Sequence, residues 1–375
     1  RPAPPPRPAG GMAARGEEPR LGLVFANVVL SSTALMAQAP ALPYLVRRLG
    51  GGAHEFGRLQ ALYSSLQFAG GLLAGPCMDR HGPRALFLAS FACSALGAAM
   101  AATSGGLGAL YASRLPSLGQ HAVLAARGMV TAVSGEEERA KLLGFVGVAF
   151  GLGFALGPAA GGALGRAGLQ RPFWAAAVAS LASLACVALC LPAAPFARRA
   201  EGAAGARPSL GAFSRVLRRP AVARLVAVKC LGGAPFALLQ STFAQVLMEA
   251  FSLDERDNGR VMSFVGVLVI VSQAGLVGAA SRRLGEERAV LACTLVTAAA
   301  YALLAAARSL PAFLGLLVPL VMAGSVSSTL NTAMLTKSAP RDAGIVLAMD
   351  MAVSTGLRIL SPLAGGGGGG GAGAA

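Results

Sequence analysis

Gly75-Pro76-Cys77-Met78-Asp79-Arg80-His81-Gly82-Pro83-Arg84 stands between two apolar runs, at 56–77 and 84–103, each of about the length that crosses a bilayer. Between two such runs there is room only for a short polar reversal. Gly75 and Gly82 allow a tight turn where a side chain would clash. Asp79 can accept hydrogen bonds from helix-start amides or pair with a nearby arginine. Arg80 and Arg84 hold the loop on the cytoplasmic side. The stretch therefore predicts a hairpin of two membrane-spanning helices, and the rest of the chain follows the same pattern.

Apolar residues make up 55% of the 375-residue chain and charged residues 13%, with a mean hydropathy of +0.63. A soluble domain carries about 25% charged residues, so this chain cannot clothe a water-facing surface. A barrel is excluded because the runs are continuous and rich in Ala, Leu and Gly, without strand alternation. The net charge of +16 does not point to nucleic acid, because the basic residues sit in short clusters between apolar runs, without interleaved aromatics. Cys77, Cys93, Cys186, Cys190, Cys230 and Cys293 form no CxxC pair and read as small buried residues. No metal or other cofactor is expected, and HExxH, GxSxG and Walker lysine motifs are missing, so the chain is not read as an enzyme.

The sequence divides into a disordered N-terminal tail (1–20), a helix bundle (21–192), a cytoplasmic linker (193–220), a second bundle (221–364) and a Gly/Ala tail (365–375). Eleven spans are predicted, near 21–46, 56–77, 84–103, 107–133, 140–164, 172–192, 221–248, 260–280, 289–307, 311–336 and 343–364. Lys and Arg number twenty in the segments on the N-terminal side and eight in the opposite loops, which places the N-terminus in the cytoplasm. The closing Gly/Ala tract is too poor a helix former to be a further span.

Two motifs recur across the linker. Gly75, Gly82 and Asp79-Arg80 return as Gly278, Gly285 and Arg282-Arg283, shifted by 203 residues. Leu156-Gly157-Pro158-Ala159-Ala160-Gly161-Gly162 returns as Leu360-Ser361-Pro362-Leu363-Ala364-Gly365-Gly366, shifted by 204. Parallel repeats of this size, related by an axis along the membrane normal, predict two similar bundles. Span five also carries small residues at four-residue spacing (Gly153, Gly157, Gly161, with Gly162), which let helices approach closely. Pro158 removes a donor and bends that helix.

The loop from Gly75 to Arg84 resembles the signature loop of the major facilitator superfamily in every position but the final basic one, where Ala85 stands. The span-five motif is similar to that of its drug:proton antiporter branch. Pro43-Tyr44-Leu45, Ala112-Ser113-Arg114-Leu115-Pro116 and Leu357-Arg358 resemble the organic-cation-transporter-like branch of the solute carrier 22 group. The resemblance covers essentially the whole chain. It implies an all-α membrane protein of two six-helix bundles, a monomer working by alternating access. It implies that the loop is a latch between the halves with Asp79 as a gating residue, for which Arg127 and Arg139 are the candidate partners. Two departures stand out. A twelfth span is missing, so the chain is expected to be a fragment or a faulty gene model. Span one has Ser31-Ser32-Thr33 where the antiporters often carry an acid, which puts proton coupling in question.

Ionisable groups inside spans are costly, about 2.5–3.5 kcal/mol each even on the mildest scale, and so are candidate functional residues. They are Arg114, His121 and Arg127 in span four, Lys229 in span seven, and Asp350 and Arg358 in span eleven. On a continuous helix Arg114 and His121, seven apart, share a face. Arg127 and Lys229 lie near the cytoplasmic ends and are expected to snorkel. Asp350 and Arg358, eight apart, are expected to pair with each other or across the halves. In the superfamily the central cavity is lined by spans one, four, seven and ten, which implies Gln38, Arg114, His121, Lys229 and Asn331 as substrate or proton pathway residues. The resemblance implies an organic cation, whereas four basic span residues against one acid imply an anion, a zwitterion or a neutral compound. The expected function is secondary transport of a small organic solute, with protons as a candidate coupling ion and the lipid bilayer as the surroundings. The alternative is a transporter-like sensor or scaffold.

Overall fold

The computed structural model describes residues 18–134, 136–191, 210–339 and 343–367. Residues 1–17 of the tail read as disordered, 193–209 of the linker, Arg341, and 368–375 of the Gly/Ala tail lie outside the described residues. Among the described residues every regular element is helical. Span one runs Glu18–Ala37 and continues, after a turn, as Leu42–Arg48. Spans two and three form one kinked run, Ala53–Ala102. Span four is in three pieces, Leu107–Ala112, Leu115–Gly119 and Ala122–Val133. Spans five and six are Glu136–Ala167 and Arg171–Cys190, and a linker helix occupies Leu210–Leu217. Pro220–Phe251, Glu255–Leu284, Glu286–Ala305, Leu310–Ser338 and Ala343–Gly367 are spans seven to eleven. Eight helical stretches are long and apolar enough to cross a membrane, and one of these, Ala53–Ala102, holds two spans.

The repeat seen in the sequence is also present in the backbone. Gly82 breaks the run between spans two and three with φ 82° and ψ 160°. Gly285, 203 residues on, separates spans eight and nine with φ 76° and ψ 159°. Only glycine adopts this region without strain. Gly75, expected to serve the same turn, instead lies within helical span two with open space where a side chain would be. Seven residues upstream of the reversal, it is not needed for it.

Packing is arranged by half. One apolar core joins Val28 of span one, Phe87 and Phe91 of span three, Met129 of span four, Val146 of span five and Val187 of span six. Another joins Leu247 of span seven with Val261, Ala300, Phe313 and Leu317 of spans eight to ten. The buried members of each cluster come from one half only. Span five uses glycine to approach span one of its own half and span eight of the other. On span five, Gly153, Gly157 and Gly161 press against the span-one backbone, where a Cβ at 161 would lie 1.8 Å from the Ala37 carbonyl oxygen. Gly162 faces span eight, where a Cβ would lie 2.4 Å from the Glu255 carbonyl oxygen, and Gly259 and Gly266 return the contact onto Pro158 and Ala155. The small-residue motif thus brings one helix close to two neighbours. Pro158 has no amide hydrogen, and the next amide, of Ala159, donates across the interface to Ser263 Oγ at 2.8 Å.

Two further hydrogen bonds join the halves. Tyr44 Oη donates to the Leu253 carbonyl at 2.5 Å, and Asn258 Nδ2 donates to Tyr44 Oη at 3.3 Å. All three lie in the half of the molecule away from the linker helix.

The six cysteines are free, and none is fully buried. The reading of them as buried small residues is therefore corrected: Cys190 is exposed and the other five are half-buried. In an apolar outer surface a thiol is tolerated as readily as in a core.

Candidate substrate site

Span four determines the site, and not as its periodicity implied. Leu115-Pro116-Ser117-Leu118-Gly119 forms a 3₁₀ turn, and His121, at φ −119° and ψ 41°, starts a new helix. Pro116 supplies no donor and Gly119 little helical preference. Neighbouring spans satisfy the interrupted backbone. Gln67 Nε2 of span two donates to the carbonyls of Ser117 (3.2 Å) and Gln120 (3.3 Å). Ser90 Oγ of span three accepts from the His121 amide at 3.1 Å. Irregular backbone at membrane depth is tolerated where protein encloses it or it lines a cavity.

The break corrects the expectation that Arg114 and His121 share a face, which presumed 100° per residue throughout. His121 turns to span two. Its Nε2 lies 3.1 Å from the Leu118 carbonyl, over Gly70, where a Cβ would come within 2.6 Å of the ring. Arg114 instead lines a cavity with Ser31 and Gln38 of span one, Tyr63 of span two and Gln120 of span four. Its Nε and Nη2 are buried and have no hydrogen-bond partner among the described residues. Gln38 Nε2 donates to the Ala34 carbonyl at 3.3 Å. Span eleven of the other half packs against the run of spans two and three that carries Tyr63. Arg358 of span eleven is exposed.

A second polar cluster lies in the second half. Lys229 Nζ of span seven donates to Asp350 Oδ1 of span eleven. Thr332 of span ten bridges the two, 3.3 Å from Lys229 Nζ and 3.3 Å from Asp350 Oδ2. The side chains of Lys229 and Asp350 are 12% and 10% exposed. This corrects two expectations. Lys229 does not snorkel, because a carboxylate is within its reach. Asp350 does not pair with Arg358, because eight residues along a helix are about 12 Å of rise, whereas span seven crosses beside it. Asn331 is buried against span seven, donating from Nδ2 to the Leu225 carbonyl at 3.3 Å. Neither Lys229 nor Asn331 lines the Arg114 cavity. Arg127 is exposed.

In the signature loop, Asp79 and Arg80 are exposed. Asp79 makes no hydrogen bond or ion pair with any described residue, so the structure brings it to neither Arg127 nor Arg139. Arg139 Nη2 instead contacts the Ser134 carbonyl at 3.5 Å. Arg84 ties the loop to span six, where its Nε and Nη2 donate to the carbonyls of Leu191 (2.7 Å) and Ala188 (2.9 Å). A cation there satisfies orphan carbonyls and suits the negative helix terminus.

The sequence profile described as Major Facilitator Superfamily matches residues 24–362. The chain belongs to the Major Facilitator Superfamily. It is 33% identical to solute carrier family 22 member 18 of Mus musculus, over 93% of this chain and 89% of that one. It is 30% identical to the class C tetracycline resistance protein of Escherichia coli, over 76% and 72%. Among solved structures, the human organic anion transporter MFSD10 (TETRAN) superposes with a TM-score of 0.67 at 24% identity, covering 94% of this chain and 95% of that one. At that identity the likeness shows the fold. This facilitator is therefore a multi-pass membrane transporter of solutes and not an enzyme, and the resemblances read from its loop and span-five motifs hold.

Proposed function

We propose that this facilitator carries a small organic anion, or the anionic end of a zwitterion, by alternating access, with Arg114 as the group that binds the charge. The carrying observation is the guanidinium of Arg114, with two buried nitrogens that no described residue satisfies, on the wall of a cavity it shares with Gln38, Tyr63 and Gln120. Arginine stays charged in any protein setting. A buried charge without a partner is strongly unfavourable, so a site of this kind gains most from an anion, whose oxygens match the guanidinium fork. Gln38, Gln120 and Tyr63 add neutral donors around it. The organic-anion reading of MFSD10, a protein of the same fold, supports this choice, and the charge balance of the spans opposes a bare cation.

The conformation is proposed to be open toward the linker side, read as cytoplasmic from the charge count. Support comes from the three hydrogen bonds that close the other side and from Asp79, which no described residue pairs in the loop on the linker side. Purified full-length protein screened by thermal stabilisation against matched organic anions and cations tests the substrate reading, since a ligand stabilises the state it binds, by about 2.7 kcal/mol at a hundredfold excess over Kd. Anions should stabilise the wild type and lose that effect in Arg114→Gln. Stabilisation by cations, unchanged in Arg114→Gln, would overturn the proposal.

A further inference from the structure

The Arg114 site leaves the Lys229–Asp350–Thr332 cluster unused. We propose that Asp350 is the proton-binding site that couples this transporter, and that its protonation releases Lys229 and shifts the molecule away from the conformation seen here. The inference rests on the alternating-access reading but not on the charge of the substrate.

Three observations carry it. First, the pair is buried and spread over three spans, seven, ten and eleven. A buried ion pair is weak evidence for stability, since apolar side chains of similar volume often replace one without loss, whereas separating its members is costly. Its state is therefore a strong lever on how those helices sit. Second, span eleven is where the lever meets the other half. It packs against span seven on one side and against the run of spans two and three on the other, and Leu357 lies over Gly233 of span seven. Third, the pair adjoins an apolar cluster on its linker side. Val216 of the linker helix, Val222, Leu335, Ala339, Val346 and Met349, the residue before Asp350, pack together at the inner ends of spans seven, ten and eleven. Among the described residues the other carboxylates lie at span ends or in loops, and span one offers only Ser31-Ser32-Thr33.

The step is a proton transfer. A proton adds to a carboxylate oxygen of Asp350 and makes a neutral carboxyl; Lys229 keeps its charge and loses its anion, so the cluster gains one positive charge. The charged and titratable groups on the elements around span eleven include Lys229 and Cys230 of span seven, with Arg224 and Glu249 toward its two ends, Tyr63 of span two, Arg358 of span eleven itself and Arg215 of the linker helix, which is exposed. Span ten contributes Thr332, which does not titrate, and Lys337, held at 2.5 Å by Glu286. Of these groups only Lys229 and Thr332 bond to Asp350. In the ionised state the ammonium ties span seven to span eleven; in the protonated state nothing of comparable strength does. By linkage, a conformation that separates the pair must also favour the proton.

The test uses the full chain reconstituted in lipid, with spin labels at exposed Arg171 and Arg308 on the side away from the linker, one in each half. Acidification from about pH 8 to about pH 5 should raise the population with these ends apart by about fivefold or more. Asp350→Asn should show the acid-form distances at every pH. An unchanged distance distribution in the wild type, or a pH response retained in Asp350→Asn, would sink the proposal. If that variant does not fold, the paired substitution Lys229→Met with Asp350→Leu removes both charges together and decides the matter: a wild-type response there also rejects Asp350. Arg114→Gln should keep the pH response while losing anion binding, so failure of the anion reading and failure of this one are told apart.

Discussion

At the scale of single residues, the two reversals at Gly82 and Gly285 show what a glycine is for. Each holds the same left-handed backbone, 203 residues apart. Alanine at either place should destabilise the protein by about 1–3 kcal/mol, measured by thermal unfolding in detergent. Gly75→Ala should do no harm and should add up to about 1 kcal/mol, because Gly75 is helical with open space around it. Equal losses at all three would mean that composition, not conformation, sets the requirement. The sequence displayed the three glycines as one motif, and nothing in their spacing separated the one that turns the chain from the one that does not. The same holds for Arg84. Its basic character was legible, but the carbonyls it caps, Ala188 and Leu191, are more than a hundred residues away.

At the scale of elements, span five is the helix packed against both span one of its own half and span eight of the other. Its glycines contact span one through positions 153, 157 and 161, and span eight through 162. Gly161→Val should cost about 1–3 kcal/mol of stability by overpacking within the first half. Gly162→Leu should act differently, keeping the first half intact while preventing the ends of spans five and eight from meeting. Distances between labels at Arg171 and Arg308 should then lengthen. Unaltered distances in Gly162→Leu would show that this contact does not close the molecule. Span four was the element least legible in the sequence. Its apolar content fitted a helix over 107–133, and Pro116 and Gly119 were in view, but what allows the break is the pair of carbonyls caught by Gln67 and the amide caught by Ser90. Those partners are tertiary.

At the scale of the whole molecule, the proposed closure away from the linker should depend on Tyr44, which the sequence offered only as part of a family motif and which hydrogen-bonds across the halves. Ser252, left-handed at φ 52°, ends span seven just before Leu253, the carbonyl that Tyr44 engages. Asn258, fully buried, backs the phenol and also holds the Ala244 carbonyl at 2.7 Å. Tyr44→Phe removes both hydrogen bonds of the phenol, each about 1 kcal/mol, and should raise the population open on that side by at least about fivefold, read by the same labels. No change in population would assign closure to the glycine contacts alone. The orientation of the molecule is testable at Thr103, which is exposed beside buried Ser104. A cysteine at Thr103 should react with an impermeant reagent from outside sealed cells; labelling only after permeabilisation would invert the proposed topology.

The sequence by itself determined that the chain crosses the membrane many times, that its two parts repeat, and which loop and span carry the superfamily's motifs. Those properties follow from composition, period and local backbone chemistry, which act over a few residues and need no partner. It also made the charged span residues conspicuous, because a charge stands out in an apolar run. Which of them meet was decided only by the tertiary structure. Asp350 finds Lys229 across 121 residues of chain, Arg114 is left without a partner among the described residues, and His121 is carried to another side by a broken helix. A pairing energy depends on distances between helices, and those are set by where glycine lets the helices approach and where proline lets one of them break.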